Sequence, residues 1–181
     1  MAFWSDTGLD PKRQFKFKVT FSRLGSDAQY LAQTADRPVY TITDGTKVEF
    51  LDKTFHYPGK ISWAPVKIKF VDTVGVGRRN LSRDSYNYLA NSGWISPNDA
   101  GAGAGNFSTI SKASAASAAG AGTVQVSVLD SNGTAVDIWT LKNAFITTVA
   151  LNNLDYAAEG ILTAEYTFRY DWADLKSPFD T

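Results

Sequence analysis

Hydrophobic and polar side chains alternate most cleanly over residues 160–172 (GILTAEYTFRYDW). Leu162, Ala164, Tyr166, Phe168, Tyr170 and Trp172 fall on one face of an extended strand, and Thr163, Glu165, Thr167, Arg169 and Asp171 on the other. Aromatic side chains bury roughly 150–250 Å² each, so the first face predicts a half-buried strand over which much of the chain packs. The second face suits water or a wet lumen.

The same period-2 pattern recurs along the chain. Phe15, Phe17, Val19 and Phe21 alternate with Lys16, Lys18 and Thr20, a turn is expected at 24–26, and 29–34 is a weaker strand. Segments 37–43 (RPVYTIT) and 47–51 (KVEFL) flank Asp44-Gly45, a short-range turn signal that predicts a hairpin there. Tyr57-Pro58-Gly59 reads as a second turn, and Val66, Ile68 and Phe70 mark a strand over 66–71. Residues 81–90 (LSRDSYNYLA) predict a helix, with Leu81, Ser85, Tyr88 and Leu89 as its stripe and Asn80 as its cap. Val124, Val126 and Val128 restart the strand pattern, a turn follows at 130–133, and 136–141 and 145–151 are two further strands. About eight strands and one helix predict a mainly β, antiparallel architecture.

Three segments depart from the pattern. Residues 1–13 read as an N-terminal arm anchored by Phe3 and Trp4, and 173–181 as a C-terminal tail. Residues 96–123 are dominated by Gly, Ala and Ser, which offer little apolar area against their ordering entropy. That stretch predicts a low-complexity surface insertion outside the core, with Phe107 and Ile110 as its anchors should part of it dock.

Composition narrows the function classes. At 181 residues, 44% of them hydrophobic, the chain suits one core, and 1–181 is read as a single domain. Lys plus Arg balances Asp plus Glu at 18 each, which argues against binding a nucleic-acid backbone by neutralising phosphates. The absence of cysteine excludes disulfides, thiolate metal sites and cysteine catalysis. Residues 1–14 lack a signal-peptide pattern, and no apolar run approaches the roughly 18 residues of a membrane span, so an aqueous compartment and no membrane span are expected.

Candidate chemistry is sparse. His56 is the single histidine, which rules out a metal site built on several imidazoles; the commoner role is a strand or loop histidine. Gly75 and Gly77, and the GAGAG run at 101–105, lack both the following Lys-Ser/Thr and the βαβ setting of phosphate loops. Asp130, Asp137, Asp155 and Glu159 show no EF-hand spacing, and turns favour Asp. Trp4, Trp63, Trp94, Trp139 and Trp172 could line a sugar platform, though strand tryptophans are more often core. The Asn-x-Ser/Thr sequons at Asn80, Asn106 and Asn132 carry meaning only on a secretory route. No catalytic residue, cofactor or metal is expected.

The order of segments FKFKVTF, TADRPVYTITDGTKVEF, YPGKISWAPVKIKFVD, a helix, VDIWTLKNAFITTVALNNLDYAAEG and ILTAEYTFRYDW resembles the tail tube proteins of contractile-tailed bacteriophages, over nearly all the chain except 96–123. That resemblance implies two packed antiparallel β-sheets, a tail-tube β-sandwich or barrel, with a short flanking α-helix. It further implies a non-enzymatic structural subunit of the virion, built with copies of itself into homo-hexameric rings that stack into a tube. The lumen would conduct viral DNA without specific binding, and the partners would be the tail sheath, baseplate tube and tail terminator proteins. Assembly would take place in the host cytoplasm. The alternatives are a baseplate tube initiator or a ring protein of a related contractile injection system, and, in a different class, a carbohydrate-binding β-sandwich. Within the tube reading, Val48, Phe50, Leu51, Phe55 and Tyr57 are expected on a protruding ring-stacking hairpin, because an isolated hairpin could not keep them exposed. Thr163, Glu165, Thr167, Arg169 and Asp171 are the candidate lumen face, and the 96–123 insertion is expected outside the tube or at the ring rim.

Overall fold

The computed structural model describes residues 11–22, 31–73, 80–96, 109–117, 120–157 and 159–178. In chain order the elements are β1 (Phe17–Phe21), β2 (Ala32–Ala35), β3 (Tyr40–Phe50), β4 (Lys53–Trp63), β5 (Val66–Val71), α1 (Leu81–Asn91), α2 (Lys112–Ala115), β6 (Val124–Leu129), β7 (Ala135–Lys142), β8 (Phe145–Leu151), β9 (Thr163–Arg169) and β10 (Trp172–Lys176). They form one four-stranded sheet in the order β1-β6-β7-β10, a second in the order β2-β5-β9-β8, and a separate two-stranded ribbon, β3-β4. Every strand pair is antiparallel.

The core lies between the two sheets and follows from the alternation. Along β5, Val66, Ile68 and Phe70 are fully buried, and along β9 so are Ala164, Tyr166 and Phe168. Phe21 of β1 reaches across from the other sheet. Its ring centroid lies 6.4 Å from Phe70, 6.0 Å from Tyr166 and 5.2 Å from Phe168, the last two edge-on as ring quadrupoles favour. Helix α1 adds Leu81 and Tyr88 to this cluster. Its start is set as the sequence predicts: the Asn80 side chain accepts the Arg83 backbone N–H at 2.9 Å. Asp72 adds a second cap by accepting the Leu81 N–H at 3.2 Å and the Ser82 hydroxyl at 3.2 Å.

Four sequence expectations change. The run 160–172 is not one strand, because the chain leaves the second sheet after Arg169 and enters the first at Trp172. Core-facing positions shift by one across that corner: Ala173 is buried, while Trp172 is 46% exposed and Leu162 lies before the strand and exposed. Residues 173–176, the first part of the stretch read as a C-terminal tail, therefore belong to β10. Second, Asp44-Gly45 is not the hairpin turn. It sits inside β3 as a bulge, with register shifts on either side, opposite Pro58, and Tyr57-Pro58-Gly59 is likewise no turn but runs within β4. Third, the chain reverses at Leu51, whose φ of 55° is in the left-handed region.

Fourth, part of the 96–123 stretch belongs to the core. Ser111 caps α2 by accepting the Ser114 N–H at 3.1 Å, and Ala115 and Ala121 are buried. Ile110 is exposed and Phe107 lies outside the described residues, so the small alanines are the anchors. The two are joined by the Ala121 N–H, which donates to the Ala115 carbonyl at 2.7 Å. The arm at 1–10, the turn at 24–26, both glycine runs, Trp4 and Asn106 also lie outside the described residues.

Candidate assembly interface

The β3-β4 ribbon pairs two eleven-residue strands, each spanning about 35 Å at the usual rise per residue. All of β3 is exposed, and β4 is exposed except at Gly59 and Trp63, which are half-buried. Val48 pairs with Phe55, and Phe50 and Leu51 flank the reversal, with Leu51 89% exposed. Tyr57 is also exposed, so all five residues expected on a protruding hairpin are brought together on it. Its base is tied to the body by an aromatic row: Trp63 lies 5.4 Å from Tyr40 and 6.0 Å from Tyr170. An apolar ribbon that length has no stable reason to stand in water alone.

Gly45 and Gly59 let the two ribbon strands approach at the bulge. A Cβ on Gly45 would fall on the Tyr57 carbonyl and 2.9 Å from the Pro58 backbone, and one on Gly59 would lie 2.7 Å from the Thr43 carbonyl oxygen. The Thr43 hydroxyl completes the junction, accepting the Lys60 N–H at 3.0 Å.

The candidate lumen face is less uniform. Thr163 is buried, only 5% exposed, with its hydroxyl donating to Asn152 Oδ1 at 3.0 Å. Glu165 is half-buried and pairs with Lys67 Nζ at 3.1 Å. Thr167 stands between β5 and β8, where its carbonyl accepts the Thr147 hydroxyl at 3.1 Å, and Arg169 is exposed. Asp171 is off the strand at the corner, where its carboxylate accepts Lys112 Nζ and Asn143 Nδ2, each at 2.7 Å. These donors, Lys112 first and then Asn143, hold its carboxyl below the usual range. Register sets Lys69 opposite Glu165 and Lys67 opposite Thr167, so β5 adds two cations that the sequence of β9 alone does not reveal.

The remaining candidates are dispersed. His56 is an exposed ribbon residue opposite Lys47. Asp130 closes its own turn by accepting the Asn132 and Thr134 N–H groups at 2.8 Å, Asp137 pairs with Lys12, and Asp155 accepts the Ala157 N–H at 2.9 Å. No group of three potential metal ligands occurs among the described residues. Trp63, Trp94, Trp139 and Trp172 stand on separate segments, with Trp94 edge-on to Tyr86. No helix among the described residues is long and apolar enough to cross a membrane.

No protein-family model matches the sequence, and no curated protein matches it. Solved structures do match. A chain of the anti-feeding prophage tube-terminating cap superposes with a TM-score of 0.64 at 18% identity, covering 98% of this chain and 99% of that one. A chain of the sheath-tube complex of PVC, an extracellular contractile injection system, gives 0.58 at 16% identity over 92% of each chain. The SPP1 tail tube gives 0.50 at 12% identity, over 94% of this chain and 82% of that one. The fold is therefore the tail-tube fold. Its structural neighbours are tube and cap proteins of phage tails and contractile injection systems.

Proposed function

We propose that this chain, acting as a single domain, is the structural subunit of a phage tail tube and performs no catalysis. Six copies close into a ring, rings stack into a tube, and the lumen conducts viral DNA into the host without binding it specifically. The sheath surrounds the tube, the baseplate tube proteins start it and the terminator ends it, so the protein's place is the virion tail, assembled in the host cytoplasm. The observation that carries this reading is the β3-β4 ribbon, whose apolar residues are exposed on the single chain and would be covered by other copies in a tube. We assign Val48, Phe50, Leu51, Phe55 and Tyr57 to ring stacking and Glu165, Thr167 and Arg169, with Thr163 and Asp171 at the margins, to the lumen side. That face lies opposite the aromatic core and away from α1, which packs on the core side through Tyr88 and Ser85.

Negative-stain microscopy of the purified protein tests the reading, with rings or tubes expected and glycan-binding monomers contradicting it. Deleting residues 48–55 should leave a folded chain that no longer forms tubes; unchanged polymerisation would overturn the stacking role. A second reading, a tube or cap ring of a contractile injection system that carries no DNA, is supported by the matches at TM-scores of 0.64 and 0.58. The presence or absence of DNA in particles containing the protein separates the two.

A further inference from the structure

A cleft of about 480 Å³ opens where the two sheets part, between the start of β1 and β2. Phe17, Val126 and Val128 form its apolar floor, and Lys12, Arg13, Lys16 and Arg37 stand around it. One acid, Asp36, also lines the cleft and accepts the Lys67 backbone N–H at 3.3 Å, while Asp137 beside it pairs with Lys12, so the four cations outnumber the acids at the rim. Lys16 and Arg37 have no ion-pair partner among the described residues. The cleft is thus an apolar slot with a cationic rim, at the β2 edge of its sheet.

At the other edge of that sheet, beyond β5 and β9, the chain leaves β8 in the opposite kind of segment. Leu154, Tyr156 and Ile161 are exposed, Tyr156 completely so. Asp155 and Glu159 stand among them, and neither has an ion-pair partner among the described residues. An exposed aromatic flanked by two carboxylates is a poor surface for a monomer and a good anchor for a basic apolar slot.

We infer that residues 154–157 and 159–161 of one copy dock into the β1-β2 cleft of the next, placing Tyr156 against Phe17 and Val128 and Asp155 and Glu159 against Lys16 and Arg37. The two surfaces are complementary and lie on opposite edges of one sheet, as a head-to-tail contact that closes a ring requires. The occupant is a second copy of this chain, because the chain itself carries the acidic-aromatic counterpart of its own cleft. The inference rests on the ring reading above and names the contact within a ring, where the ribbon serves the contact between rings.

The test uses two charge reversals, Lys16→Glu with Arg37→Glu, and Asp155→Lys with Glu159→Lys. Each variant alone should melt like the wild type and form no rings. An equimolar mixture should recover rings of alternating composition, since each reversed surface then meets a complement in its neighbour. Wild-type rings together with rings in either reversed variant, or no recovery on mixing, would overturn the docking while leaving the ring reading intact. A wild type that forms no rings at any concentration would overturn both. If a reversal unfolds the chain, Phe17→Cys with Tyr156→Cys in this cysteine-free sequence replaces it. Oxidised rings should then run as a disulfide-linked ladder, and ring-forming protein that runs as monomer would overturn the contact.

Discussion

The hydroxyl of Ser85 on α1 lies 2.7 Å from the hydroxyl of Tyr166 at the centre of the core. Both also reach the carbonyl of Leu81, Ser85 at 2.6 Å and Tyr166 at 3.2 Å, so the first turn of the helix is fastened to β9 by a three-way polar contact inside an aromatic cluster. Burial is the main reason that the Tyr166 phenol is pushed up to about 12.

Alkaline stability should report that contact. A phenol whose folded pKa is raised contributes stability that is complete below about pH 10, the unfolded value, and is lost as pH climbs towards the folded one. Over that window the loss from Tyr166 amounts to roughly 2–3 kcal/mol. Tyr166→Phe should be less stable than the wild type at pH 8, because the bonds of the phenol to Ser85 and to the Leu81 carbonyl are lost, and should fall less steeply between pH 10 and 12. Urea melts across that range check it; parallel alkaline limbs would contradict the assignment.

The ribbon bulge yields a local prediction. Gly45→Ala places a methyl group against the Tyr57 and Pro58 backbone, which cannot move aside as a flexible side chain could. Because the surrounding ribbon is exposed, global stability should change by less than about 1 kcal/mol. Hydrogen exchange should instead accelerate at residues 42–47 and 56–61, and tube formation should weaken. Unaltered exchange in both strands would show that the close approach is dispensable.

A third prediction concerns the hold of Asp171 on α2. Lys112 and Asn143 lower its pKa, so the contribution of this contact is present above the ordinary carboxylate value and is lost as pH falls through the lower folded one. Acidification below about pH 4 should therefore free residues 112–117 before the β-sheets melt. Lys112→Met should produce the same faster amide exchange at neutral pH. Exchange that is insensitive to both changes would mean that Ala115 and Ala121 hold the segment alone.

What the sequence disclosed was decided by local rules, and what it hid was decided by distance. The helix was legible because Asn80 and the Leu81, Tyr88 spacing are read within one or two turns. β5 was legible because its alternation is unbroken. Asp44-Gly45 misled because a turn dipeptide also suits a bulge, and only the opposing Pro58 and Gly59 decide between them. The real reversal at Leu51 carries no glycine signal. The corner at Tyr170 was hidden by continued alternation, since a strand that changes sheets need not interrupt its chemistry. Of the two surfaces proposed for assembly, the ribbon could be foreseen from its apolar excess. The basic cleft could not, because Lys16, Arg37 and Val128 converge only after β1, β2 and β6 are in place.

At the corner where β9 passes into β10, the chain runs beside a second crossing, the passage from β7 to β8 through Asn143, whose φ is 54°. Asp171 clips them together: its backbone N–H donates to the Lys142 carbonyl at 3.0 Å and its carboxylate accepts Asn143 Nδ2. A wall made of two leaves yields most readily by sliding one leaf over the other. Here a slip of a single residue, about 3.4 Å, would have to tear two adjacent seams at once. That double seam braces one corner of the subunit against shear, and it does so beside Tyr170, whose ring lies 6.0 Å from Trp63 at the base of the ribbon.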